Sequence, residues 1–173
     1  MHSDSNKIRL VITDVDGVLT DSGYIFSHDG KISKRFNTRD FYALEFIKNR
    51  IGIPVMGLSG ADDSATIARF EKSKIPLAYG IKNKLDFANK LFKKTGIDPA
   101  TVAFIGDHWI DLPLMKICGF PFCPKDAVSG VLHFCKNKSA LKGGYGVIED
   151  FLCQIFSENY ENIFDDNKDR TSM

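Results

Sequence analysis

Ile8-Arg9-Leu10-Val11-Ile12-Thr13-Asp14-Val15-Asp16-Gly17-Val18-Leu19-Thr20 runs from an apolar strand straight into a short loop that carries two carboxylates. Ile8 to Ile12 reads as a buried strand, with Thr13 and Asp14 at its carboxyl end. In open α/β sheets that end is where ligands bind. Two like charges two positions apart repel, so a fold that keeps both usually gives them a cation or a proton to share. Mg²⁺ favours one or two carboxylates plus substrate phosphate oxygens and suits this spacing. A plain polar turn is the simpler reading, since Asp and Gly are ordinary turn residues. A helix–loop–helix calcium loop fails, because its fifth and twelfth positions need oxygen ligands and fall here on Val18 and Ile25.

Composition sets broad bounds. A chain of 173 residues, 43% hydrophobic and 26% charged, suits one domain with a real core. A net charge of +1 gives no reason to expect nucleic acid or an anionic membrane as partner. The polar start (His2 to Asn6) does not read as a secretory leader, and no run reaches membrane-spanning length. Cys118, Cys123, Cys135 and Cys153 lack paired metal-ligand spacing and read as reduced thiols of a cytoplasmic protein.

Apolar strand-like runs alternate with helix-period segments, which predicts an α/β fold: a three-layer, Rossmann-like parallel sheet flanked by helices. After the first strand, Tyr24 to Ser27 and Lys31 to Phe36 flank His28-Asp29-Gly30, a hairpin signal. Helices are expected over Asp40–Asn49, Asp62–Lys72, Asn83–Lys94 (capped by Asn83, closed by Gly96), Leu112–Cys118 and Val147–Phe156. Strands are expected at Ile53–Gly60, Pro76–Tyr79, Val102–Gly106 and Phe120–Cys123. The expected organisation is one domain over 1–156, with a hairpin flap at about 24–36, and a polar, disordered tail over 157–173.

Three further strand ends carry groups that phosphoryl chemistry uses. Leu58-Ser59-Gly60 offers a hydroxyl and backbone amides to phosphate oxygens. Lys84 stands at a helix start after Gly80 and can neutralise phosphoryl charge, with Lys82 a close competitor. Gly106-Asp107-His108-Trp109-Ile110-Asp111 sets two more carboxylates between a strand and a helix. Helix capping explains either aspartate alone, but not its coincidence with Asp14 and Asp16.

The order Asp-x-Asp, Ser, Lys, Gly-Asp-x-x-x-Asp, each at a strand end, resembles the haloacid dehalogenase-like superfamily, and more narrowly its small capless sugar-acid phosphatases. The likeness spans about residues 7–156 and includes Phe36-Asn37-Thr38-Arg39-Asp40, Gly80 to Leu85 and Gly143-Gly144-Tyr145-Gly146. The resemblance implies a capless phosphatase that works through an aspartyl-phosphate. Asp14 is then the nucleophile, Asp16 the general acid–base, Ser59 and nearby amides the phosphate grip, and Lys84 the charge balance. Mg²⁺ is implied on Asp14, Asp107 and the backbone carbonyl of Asp16, with Asp111 in support. Gly60, Thr38, Arg39 and Asp40 are the implied substrate contacts.

The implied substrate is a phosphorylated keto-sugar acid, octulosonate 8-phosphate first and a nine-carbon ulosonate 9-phosphate second. The implied assembly is a homotetramer in which the hairpin (Tyr24, Ile25, Phe26, Ile32) closes a neighbour's site. Departures from the pattern are Ala61 in place of an arginine, Phe41-Tyr42-Ala43 in place of Gly-Tyr-Gly, His108 in place of an aspartate and Glu149 in place of an arginine. A non-catalytic oligomerisation module is the reading from another class; such modules lose the nucleophile or the acid–base carboxylate, and both are kept here. A phosphotransferase or mutase needs a cap, for which no insertion is long enough.

Overall fold

A computed structural model describes residues 5–157. Its centre is a sheet of six parallel strands: β1 (Leu10–Thr13), β4 (Val55–Leu58), β5 (Leu77–Ala78), β6 (Val102–Ile105), β7 (Phe120–Cys123) and β8 (Asn137–Lys138). Their order is β5-β4-β1-β6-β7-β8. The order reverses at β1, which pairs with β4 on one side and β6 on the other. A crevice therefore opens beyond the carboxyl ends of β1, β4 and β6, where α/β sheets bind ligands.

Alternation along β1 divides the core. Val11 points to one face and packs with Phe41, Leu44 and Ile47 of the α1 region (Thr38–Phe46), Phe70 of α2 (Ser64–Ser73) and Phe151 of α6 (Val147–Ile155). Leu10 and Ile12 point to the other, against Ala88 and Phe92 of α3 (Lys84–Thr95), Leu114 and Met115 of α4 (Leu112–Met115) and Val131 of α5 (Ser129–Phe134). Burial of these side chains on both faces is what makes the strands continuous apolar runs rather than alternating ones. The expected three layers are present.

Several boundaries move for identifiable reasons. The helix expected at Asp40 begins at Thr38, because the Asn37 side chain accepts from the Arg39 amide and caps it. It runs on as a π-helical turn over Ile47–Ile51 and ends at Gly52 with φ 81°. The helix expected to reach Cys118 stops at Met115. Helix α5 and strand β8 have no counterpart in the sequence reading: α5 has six residues and no side-chain cap, and β8 has two. The hairpin is present as β2 (Ile25–Phe26) and β3 (Ile32–Ser33), antiparallel, with Phe26 opposite Ile32. From residue 158 the expected tail lies outside the described residues.

The glycine-rich stretch locks the loop after β1 in place. Gly144 donates its amide to Val18 O at 2.9 Å. A Cβ on Gly143 would collide with the carbonyls of Gly17 and Thr20. Only a bare backbone can pack so closely against the Asp14–Thr20 loop, which the tail end of the domain thereby supports.

Candidate active site

Asp14 leaves the end of β1 and Asp107 follows β6, so parallel pairing of these strands sets the two carboxylates side by side. Asp111 stands at the start of α4 four residues later, where its side chain makes no capping bond to the helix. One oxygen from each of these three carboxylates lies within 4.8 Å of the others. Lys84, at the first turn of α3, reaches into the group. Its Nζ is 2.8 Å from Asp14 Oδ1 and 2.7 Å from Asp111 Oδ1. The other oxygen of Asp111 accepts the amides of Asp107 and His108, each at 3.1 Å. Asp111 therefore orients both Lys84 and the loop that carries Asp107.

Electrostatic crowding marks this cluster. Burial, and then Asp111, hold the Asp14 carboxyl well above the ordinary value, against the opposing pull of Lys84. Burial and Asp111 push Asp107 up to about 7. Burial pulls the Lys84 ammonium down, but Asp14 and Asp111 outweigh it and the net shift is upward. One lysine cannot balance three clustered carboxylates. Asp107 Oδ1 is also buried without a hydrogen-bond partner, and such an oxygen is costly unless something binds it. Gly17 (φ +92°) leaves the room: a Cβ there would strike the Asp107 carboxylate. All-oxygen donors, excess negative charge and an orphaned oxygen fit a hard divalent cation such as Mg²⁺.

The Asp16 side chain stands apart from this group. Its carboxylate receives the Thr20 hydroxyl at 3.1 Å, the Tyr24 hydroxyl at 3.2 Å and Lys34 Nζ at 2.8 Å. Ser59, at the end of β4, is fully buried. Its Oγ accepts the Ala61 amide at 3.0 Å, which leaves its own proton for a phosphate oxygen. Asp14, Asp16, Ser59, Gly60, Lys84 and Asp107 all border one cavity of about 510 Å³, together with Tyr24, Ala61, Lys82 and His108.

Three expected substrate contacts do not reach this cavity within the chain. Asp40 is fully buried, and its oxygens accept the amides of Gly146 at 3.2 Å and Ile148 at 2.7 Å. It serves as a borrowed cap for α6, whose own N-cap, Gly146, has no side chain to offer. Arg39 pairs with Glu149 at that same helix start. Thr38 opens α1 and is absent from the cavity lining. The Arg-Asp pair thus ties α1 to α6. Sequence reading also passed over Lys34, Thr20 and the side of Tyr24 that touches Asp16.

No protein-family model matches the chain. A curated relative, the 3-deoxy-D-manno-octulosonate 8-phosphate phosphatase of Haemophilus influenzae, is 30% identical over 167 residues, covering 95% of this chain and 92% of that protein. The cobalt-bound structure of the Haemophilus influenzae deoxy-D-mannose-octulosonate 8-phosphate phosphatase superposes with a TM-score of 0.84 at 30% identity, covering 91% of this chain and 92% of that one. The Moraxella catarrhalis 3-deoxy-D-manno-octulosonate 8-phosphate phosphatase, solved in complex with a magnesium ion, a phosphate ion and a KDO molecule, gives a TM-score of 0.84 at 25% identity, covering 93% and 92%. Sequence kinship over nearly the whole chain and the shared fold lead to one assignment: this chain belongs to the 3-deoxy-D-manno-octulosonate 8-phosphate phosphatase family of the haloacid dehalogenase-like superfamily.

Proposed function

We propose that the chain is a Mg²⁺-dependent phosphatase of a phosphorylated keto-sugar acid, 3-deoxy-D-manno-octulosonate 8-phosphate first among candidates. The observation that carries this reading is the division of carboxylates. Asp14, Asp107 and Asp111 gather around Lys84, while Asp16 is held separately at the same cavity. Nucleophile and acid–base residue thus have different surroundings, as their different tasks require.

Asp14 attacks phosphorus as the bond from phosphorus to the sugar oxygen breaks, and Asp16 gives that oxygen its proton. Asp16 then takes a proton from the water that attacks phosphorus, which releases phosphate and restores Asp14. Ser59 and the amides beside Gly60 hold phosphoryl oxygens, and Lys84 offsets charge on Asp14 and the phosphate. Asp14, Asp107 and the Asp16 carbonyl, with Asp111 behind, would hold Mg²⁺, which would supply further cancellation of charge.

The substrate class is supported by the cavity as well as by kinship. Its volume of about 510 Å³ falls within the roughly 300–1,000 Å³ of small-molecule sites. Ala61 supplies no charge at the arginine position, but Lys82 lines the same cavity, its Nζ 3.4 Å from Gly60 O. Among the described residues that line this cavity, Lys82 is the lysine available for a sugar carboxylate, since Lys84 is bound to two aspartates. The test is phosphate release from a panel of octulosonate, nonulosonate and neutral sugar phosphates, with Mg²⁺ or with EDTA. Mg²⁺-dependent turnover of the octulosonate ester above the others is expected. No metal-dependent turnover of any ester rejects the reading.

Assembly as a homotetramer through the hairpin follows from the same reading. Ile25 and Phe26 are 65% and 68% exposed, an apolar tip that favours burial against a neighbour. Light scattering that gives a monomer mass at working concentration refutes it. No helix among the described residues is long and apolar enough to cross a membrane, and four free cysteines suit a reducing cytoplasm.

A further inference from the structure

Lys34 lies one residue beyond β3, on the returning arm of the hairpin, yet its side chain is fully buried. Lysine is almost never so buried unless paired. Its Nζ lies 2.8 Å from Asp16 Oδ1 and 2.9 Å from Asp16 Oδ2. The same nitrogen is 2.6 Å from Asp63 Oδ2 and 3.1 Å from Thr66 Oγ1, at the start of α2. It also sits over the Tyr24 ring, 4.7 Å from the centroid, and the Tyr24 hydroxyl donates to Asp16 Oδ2. One ammonium therefore joins the hairpin, the start of α2 and the loop after β1.

Stability alone does not explain a charge in that place. Desolvating an ammonium and two carboxylates cancels much of their attraction, and well-packed apolar groups often do as well. What the arrangement does supply is direction. The Asp16 carboxylate is gripped at both oxygens, and two of its donors, Lys34 and Tyr24, come from the hairpin rather than from its own loop. We propose that Lys34, assisted by Tyr24, is a positioning residue that aims the Asp16 carboxylate at the leaving-group oxygen, so that docking of the hairpin completes the acid–base machinery. The inference rests on Asp16 acting as the general acid–base of the proposed phosphatase.

The test compares two esters on the full-length chain with Mg²⁺. Octulosonate 8-phosphate expels an alkoxide that must be protonated; p-nitrophenyl phosphate expels a phenolate that leaves unaided. Rapid-quench measurement of the first turnover isolates phosphorylation of Asp14 from the later hydrolysis. For Lys34→Met the expected first-turnover loss is about 10- to 100-fold with the alkyl ester and under about threefold with the aryl ester, no more than the lower end of the ~10²–10⁴ that a general acid supplies, because the acid itself is kept. Lys34→Arg should recover much of the alkyl rate. Equal losses on both esters, or none on either, overturn the proposal. Should Lys34→Met fail to fold by circular dichroism, Tyr24→Phe carries the same comparison: a bias against the alkyl ester supports the proposal, and no bias overturns it. Failure of the unaltered chain to turn over either ester overturns the phosphatase reading itself, and this proposal with it.

Discussion

Replacing Lys84 by methionine removes one charge and keeps most of the volume. The lysine side chain is 3% exposed, and those of Asp14 and Asp111 are 7% and 0% exposed. Two buried carboxylates thus depend on a single ammonium. Taking one partner from a buried pair costs about 3–5 kcal/mol. At about 2–4 °C per kcal/mol for a domain of this size, the melting temperature in EDTA falls by roughly 6–20 °C.

The sign with pH is fixed by the direction of the shifts. Lys84 is raised in the fold, so its contribution is complete below its unfolded value and is lost only as pH rises through the folded one. The deficit of Lys84→Met is therefore at full size near neutrality. Toward acid it shrinks, because Asp14, already held high by burial, takes up a proton and no longer needs a counterion. Adding Asp111→Asn, which keeps an acceptor for the amides of Asp107 and His108, should return part of the stability and none of the activity. Thermal melts across pH give the answer. A loss below about 1 kcal/mol, the range of exposed pairs, refutes the account of Lys84 as the counterion of a buried acidic cluster.

Other outcomes follow from the same geometry. Mg²⁺ at about a hundred times its Kd should stabilise the fold by about 2.7 kcal/mol, and Asp107→Asn should abolish that gain; an unchanged melting shift in the variant places the ion elsewhere. Because Asp107 is raised to about 7, protons compete with the cation below that pH. Calorimetric Mg²⁺ affinity should then weaken by up to about tenfold for each unit of further acidification, and affinity that rises toward acid contradicts the assigned ligands. Lys82→Gln should raise KM for the octulosonate ester by about tenfold, as expected for one charge-assisted contact of about 1.5 kcal/mol, and leave p-nitrophenyl phosphate unaffected; a common loss on both substrates refutes a carboxylate-specific role.

Much of the site was legible because phosphoryl chemistry lies at strand ends. An apolar run followed by Asp14-x-Asp16, another followed by Ser59, and a third followed by Asp107 could be placed on one sheet edge without coordinates. Helical spacing picked out Phe41, Leu44 and either Ile47 or Lys48, and of these the structure buries Phe41, Leu44 and Ile47. Contacts between distant segments were not legible. Nothing near Asp40 announces that its carboxylate holds the amides of Gly146 and Ile148, more than 100 positions away. A polar residue beside catalytic motifs reads as a substrate contact until that partner is seen. Lys34 was hidden for the same reason: in a hairpin of exposed residues it reads as a solvated charge, and only the approach of Asp63 and Asp16 buries it. Short elements escaped for want of pattern, since two-residue β8 offers no period to count.

The covalent step on Asp14 is the claim from which the rest of the chemistry follows, and it can be caught directly. Borohydride reduces an acyl phosphate to the alcohol, so quenching the enzyme during turnover should convert Asp14 to homoserine in its tryptic peptide. That conversion should require both substrate and Mg²⁺, and it should vanish in Asp14→Asn. Steady turnover with Asp14 left unreduced, or with the label on another carboxylate, contradicts the account.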